Sequence, residues 1–112
     1  MKTSIHAPIV INPNDIPWKK IAPGVTMKDL AFDKPKNQRL TLFKFNKGAR
    51  LKTHKHSALE WMYVLDGIYQ DEFCTIPKGR LKINKKGSIH TSQPKRGCTL
   101  LVVWSGKHIT VR

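Results

Sequence analysis

The chain has 112 residues, 39% of them hydrophobic, with 21 Lys and Arg against 7 Asp and Glu, a formal net charge of +14. That length suits one core and one domain spanning residues 1–112, and the charge implies attraction to anions without naming one. The bases are scattered from Lys19 and Lys20 to Lys107 and Arg112, with only pairs such as Lys85-Lys86 and Lys95-Arg96. Nucleic acid is therefore not expected as the primary partner, since that reading needs a basic stripe or tail. The N-terminus lacks a signal-peptide apolar run, and no segment approaches membrane-spanning length. Two cysteines, Cys74 and Cys98, are too few for a disulfide framework. A cytoplasmic setting without membrane association is expected.

Along the chain, glycines and prolines interrupt short apolar or alternating runs, and helical periodicity is missing. This is the pattern of an all-β sandwich or barrel. The first 24 or so residues, with Pro8, Pro13, Pro17 and Pro23, read as an extended arm. Strands are expected at Val25–Phe32, Arg39–Asn46, Glu60–Leu65, Ile68–Gln70, Phe73–Ile76, Arg80–Ile83, Ser88–Thr91, Thr99–Trp104 and His108–Val111. Asp66-Gly67 reads as a hairpin turn between two of them. In Glu60–Leu65 the period of two puts Glu60, Met62 and Val64 on one face and Trp61, Tyr63 and Leu65 on the other. Both faces are largely apolar, so both need cover. A partner subunit is the favoured cover, which makes a homodimer the expected assembly.

His54 and His56 are two apart, so on a strand both imidazoles project from one face, and Glu60 can meet them across a short turn. Nitrogen donors with a carboxylate suit a divalent transition metal better than Ca²⁺ or Mg²⁺. The segment Gly48…His54-Lys55-His56…Glu60…Gly67 resembles the first motif of the cupin superfamily: glycine, five residues, His-x-His, three or four residues, Glu, six residues, glycine. Gly79, Gly87 and His90 fall at the spacings of the second motif. Lys85 stands where that motif has proline, and Pro94 stands where it has asparagine. Among cupins, Glu60–Glu72, Gly87-Ser88-Ile89-His90, Gly97–Val102 and the Trp18…Pro23-Gly24-Val25 entry resemble the ChrR-like group.

The resemblance implies a jelly-roll β-barrel (double-stranded β-helix) in which His54, His56, Glu60 and His90 hold one divalent metal ion, Fe(II) or Zn first, then Mn, Ni or Co. It implies a small-molecule ligand in the barrel. Two uses follow: a dioxygenase-like enzyme acting on a small, oxygen-rich, anionic substrate, or a non-catalytic zinc-binding sensor module. The sigma-binding zinc domain that precedes the anti-sigma member's cupin is not found here, so anti-sigma action is not expected. His6 and His108 read as ordinary histidines. Cys98, and less firmly Cys74, read as buried small hydrophobes. Lys85 and Lys86 read as solvated lysines that could guide an anion. Trp61, Tyr63 and Trp104 read as core or interface aromatics, and Asp71 and Glu72 as a solvated hairpin.

Overall fold

The computed structural model describes residues 7–110, with the side chains of 108–110 left out. His6 and the end of the final expected strand lie outside the described residues. Ten strands lie among the described residues: β1 Lys19–Ala22, β2 Val25–Asp33, β3 Gln38–Phe45, β4 His54–His56, β5 Glu60–Gln70, β6 Thr75–Pro77, β7 Leu81–Asn84, β8 Ile89–His90, β9 Cys98–Ser105 and β10 His108–Thr110. The only helical element among the described residues is a 3₁₀ turn at Pro13–Asp15, capped by the Asn12 side chain, which accepts from the Asn14 N–H. β1 lies within the segment read as an extended arm and pairs antiparallel with β2. The Lys28 ammonium donates to the Pro13 carbonyl at 2.8 Å and ties the preceding segment to the sheet.

The larger sheet runs β1-β2-β3-β9-β5-β6, with β7 also paired to β5, and the smaller runs β10-β4-β8. Every pairing is antiparallel. This two-sheet jelly roll is the all-β class expected. Alternation in β3, β5 and β9 turns Phe43, Phe45, Met62, Val64, Leu100 and Val102 inward to make the core. Burying each such side chain contributes roughly 1.5–3 kcal/mol.

The expected hairpin at Asp66-Gly67 is not there. β5 runs unbroken to Gln70 and turns later, pairing Gln70 with Thr75. The pairing of β5 with β9 slips between Val64 and Asp66, and Gly67 faces Cys98. Gly67 has φ +72°, and a Cβ there would run into the Gly97 carbonyl and the Cys98 Cα. An Asp-Gly pair thus supplies the left-handed residue of a bulge inside a strand instead of a turn. Two further strands are shorter than expected, β6 starting at Thr75 and β8 holding only Ile89 and His90.

The two faces of β5 differ. Met62 and Val64 are fully enclosed, whereas Trp61, Tyr63 and Leu65 are 46%, 39% and 42% exposed. Within one chain nothing covers that outer face as the sequence pattern requires.

Candidate metal centre

The smaller sheet brings the histidines together. β4 turns His54 and His56 inward and Lys55 outward, and His54 pairs directly with His90 of β8. The register therefore stacks three imidazoles, with ring centroids 4.5–5.1 Å apart. They are 8%, 1% and 3% exposed, and one ligand atom from each lies within 4.8 Å of the others. Main-chain bonds from the His56 N–H to the Ser88 carbonyl, and from the Gly87 N–H to the His56 carbonyl, lock the β8 entry to β4.

Ring orientation follows from what each Nδ1 meets. His54 Nδ1 lies 2.8 Å from the Lys52 carbonyl, so its N–H donates there. His90 Nδ1 lies 2.9 Å from Asp71 Oδ2, and its Nε2 lies 2.8 Å from His56 Nε2. His56 Nδ1 is 3.5 Å from Glu60 Oε2. Glu60, at the start of β5 on the facing sheet, is buried, and its Oε1 accepts from Asn84 Nδ2 at 2.8 Å. Glu60 is thus adjacent to the three histidines, through His56.

Behind His90 sits a polar network. The Asp71 side chain is wholly buried and accepts from the Tyr69 hydroxyl at 2.9 Å, from Lys82 Nζ and from the Phe73 and Cys74 N–H groups. Burial alone would push the Asp71 carboxyl up. The hydrogen bonds from His90, Lys82 and Phe73, with the Lys82 charge, outweigh it and hold the group well below the usual carboxylate range. Burial pushes the Tyr69 phenol far up, against its hydrogen bond with Ser92, so it stays a neutral donor. The solvated-hairpin reading therefore holds for exposed Glu72 but not for Asp71.

Of the network, Tyr69 and Lys82 are not singled out by the sequence, although β7 carries a signal. Leu81 and Ile83 point out while Lys82 and Asn84 point in, the reverse of ordinary core patterning. Lys85 and Lys86 are exposed, Cys98 is buried and Cys74 half-buried. The Trp104 indole, partly buried, donates to Thr41 Oγ1. The barrel interior beside His54, Glu60 and His90 is lined by Phe43, Phe45, Met62 and Leu100 and holds a water-accessible space of only about 20 Å³. That is room for about one water, so a larger ligand in the barrel would require these side chains to give way.

The chain is a small antiparallel jelly roll whose lesser sheet carries three converging, buried histidines that could hold a metal ion. The ChrR cupin-like domain family matches residues 6–106, and the chain belongs to that family. Among solved structures, a putative acetylacetone dioxygenase from Methylibium petroleiphilum superposes with a TM-score of 0.87 at 13% identity, covering 100% of this chain and 86% of that one. An RmlC-like cupin protein from Ralstonia eutropha gives 0.86 at 19% identity, with coverage of 95% and 73%. The Rhodobacter sphaeroides complex of SigE with the anti-sigma ChrR gives 0.74 at 24% identity. This chain spans 52% of that one, which covers 84% of this chain. At these identities the likeness shows the fold. No match is found among the curated proteins.

Proposed function

We propose that the protein is a metal-dependent cupin enzyme of dioxygenase type, acting on a small, oxygen-rich, anionic substrate. In this reading His54, His56 and His90 would hold one Fe(II) ion, with Glu60, whose Oε2 lies 3.5 Å from His56 Nδ1, as the fourth ligand. The observation that carries it is the convergence of three buried imidazoles whose Nδ1 atoms are turned to oxygens, the usual way a chain presents Nε2 to a metal.

When bound, such an ion supplies Lewis acidity and a template for a substrate with two oxygen donors. The chain contributes the rest. Lys52 and Asp71 fix the rings of His54 and His90, and Asn84 holds the Glu60 carboxylate. Phe43, Phe45, Met62 and Leu100 keep bulk water out. The similarity to a putative acetylacetone dioxygenase supports this reading. The similarity to the anti-sigma ChrR supports the second one, a non-catalytic zinc sensor with four protein ligands closing a tetrahedral shell.

Metal analysis of anaerobically purified protein, with the coordination number from X-ray absorption, separates the two. Five- or six-coordinate iron with oxygen uptake on a small diketone is the expected result. Tightly held four-coordinate zinc without oxygen uptake would overturn the enzyme reading.

The assembly belongs to the same proposal. The outer face of β5 presents Trp61, Tyr63 and Leu65 beside Leu81 of β7, a charge-free patch on a chain of net charge +14. Depletion of charge marks interface cores, and a second copy is the proposed cover. Sedimentation should give a dimer for the wild type and a monomer for Trp61→Glu.

A further inference from the structure

A groove of about 340 Å³ lies outside the barrel between β7 and β8, bounded by Phe73, Lys82, Ile83, Lys85, Ser88 and Ile89, with His90 in its wall. β7 pairs with β5 and β8 with β4, so the groove follows a gap between the two sheets. Its volume lies within the range of small-molecule sites, whereas the barrel interior has room for about one water.

Four observations describe its chemistry. Ser88 Oγ is buried and has no hydrogen-bond partner among the described residues, an uncompensated group that a ligand acceptor would satisfy. The bounding residues include two ammonium groups and no carboxylate. Lys85 makes no side-chain hydrogen bond or ion pair among the described residues. Phe73 and Ile89 are 74% and 44% exposed, so the rim offers uncovered apolar surface to a ligand body.

We propose that this groove binds a small organic carboxylate with an apolar body. The carboxylate accepts from Ser88 Oγ and lies beside Lys85, and the body lies across Phe73 and Ile89. Lys82 adds positive charge at the inner end, although its ammonium already serves Asp71.

The Lys85–Ser88 turn is hydrogen-bonded to His56 on both sides, and Lys82 Nζ stands 3.1 Å from His90 Nδ1. Occupancy therefore abuts two of the three histidines. The inference rests on the metal-centre reading for that consequence alone, because binding is measurable without metal.

The test uses benzoate as the probe, with benzyl alcohol as its neutral counterpart, titrated into the full chain in metal-free and zinc-loaded forms. Amide shifts are followed by ¹H–¹⁵N correlation. Benzoate should move Ser88, Ile89 and Phe73 saturably in both forms, with benzyl alcohol roughly tenfold weaker, the scale of one charge-assisted hydrogen bond. Ser88→Ala and Lys85→Ala should each weaken benzoate several-fold, and Lys20→Ala should change nothing.

Equal binding of the alcohol, or an equal effect of Lys20→Ala, would overturn the proposal in favour of diffuse attraction to a basic chain. Shifts at these residues that follow protein concentration without benzoate would overturn it in favour of a second copy. None of these outcomes touches metal stoichiometry, so failure here and failure of the metal-centre reading are distinguishable.

Discussion

In the larger sheet, β3 and β9 pair over eight consecutive positions, from Gln38↔Ser105 to Phe45↔Cys98, while in the smaller sheet β4 and β8 pair at only two, His54↔His90 and Lys55↔Ile89. The long ladder carries the apolar core, and the short one carries three buried imidazoles. Strands this short contribute little stability of their own, so the smaller sheet depends on its main-chain bonds to Ser88, Lys107 and Ser92 and on whatever its histidines bind. Stability and chemistry are thus assigned to different sheets, and mutations should separate them.

The largest stability effect is expected in the long ladder. Leu100→Ala in β9, at a site 2% exposed, should cost about 2–5 kcal/mol in urea unfolding of the metal-free protein while leaving metal stoichiometry intact. A loss of metal with unchanged stability would break the division of labour.

A smaller effect is expected behind the short ladder. Asp71→Asn removes the acceptor for His90 Nδ1–H and should weaken metal affinity about 10–100-fold by chelator competition. Asp71→Glu should restore part of it. Unchanged affinity would mean that the network is scaffolding only.

The next is a pH dependence. Asp71 and Glu72 are both held below their ordinary values, 3.8 and 4.5. Their stabilising contribution is therefore full above those values and disappears as pH falls through the lowered ones. Metal-free wild type should lose stability between about pH 4 and lower pH, and Asp71→Asn should lose less over the same window. Parallel curves would remove Asp71 from the ledger.

The smallest effect is a null. Burial pushes the Cys98 thiol up to about 12, so native protein should leave it unmodified by iodoacetamide at pH 8. Rapid labelling would show that the β5–β9 contact opens.

The sequence showed most of this where one rule acted alone. His54 and His56 are legible because a period of two puts them on one face, and Phe43, Phe45, Met62 and Val64 because alternation marks a core. Two things were not legible. Asp66-Gly67 satisfies a hairpin turn and a β-bulge equally well, and the choice depends on Gly97 and Cys98, at the entry to β9, packing against it, a distant contact. Asp71 looks like any hairpin acid until Lys82 and His90 close around it from two other stretches of chain, beside its near neighbour Tyr69. The inverted alternation of β7, with Lys82 and Asn84 inward, was a local sign of that polar interior.

The central claim is that His54, His56 and His90 form one metal site. Metal content per chain, measured after exposure to excess ion and gel filtration, for wild type, His56→Ala and His90→Ala, tests it most directly. One equivalent in wild type and none in either variant is the predicted result. A full equivalent retained in both variants, or none in wild type, would contradict it.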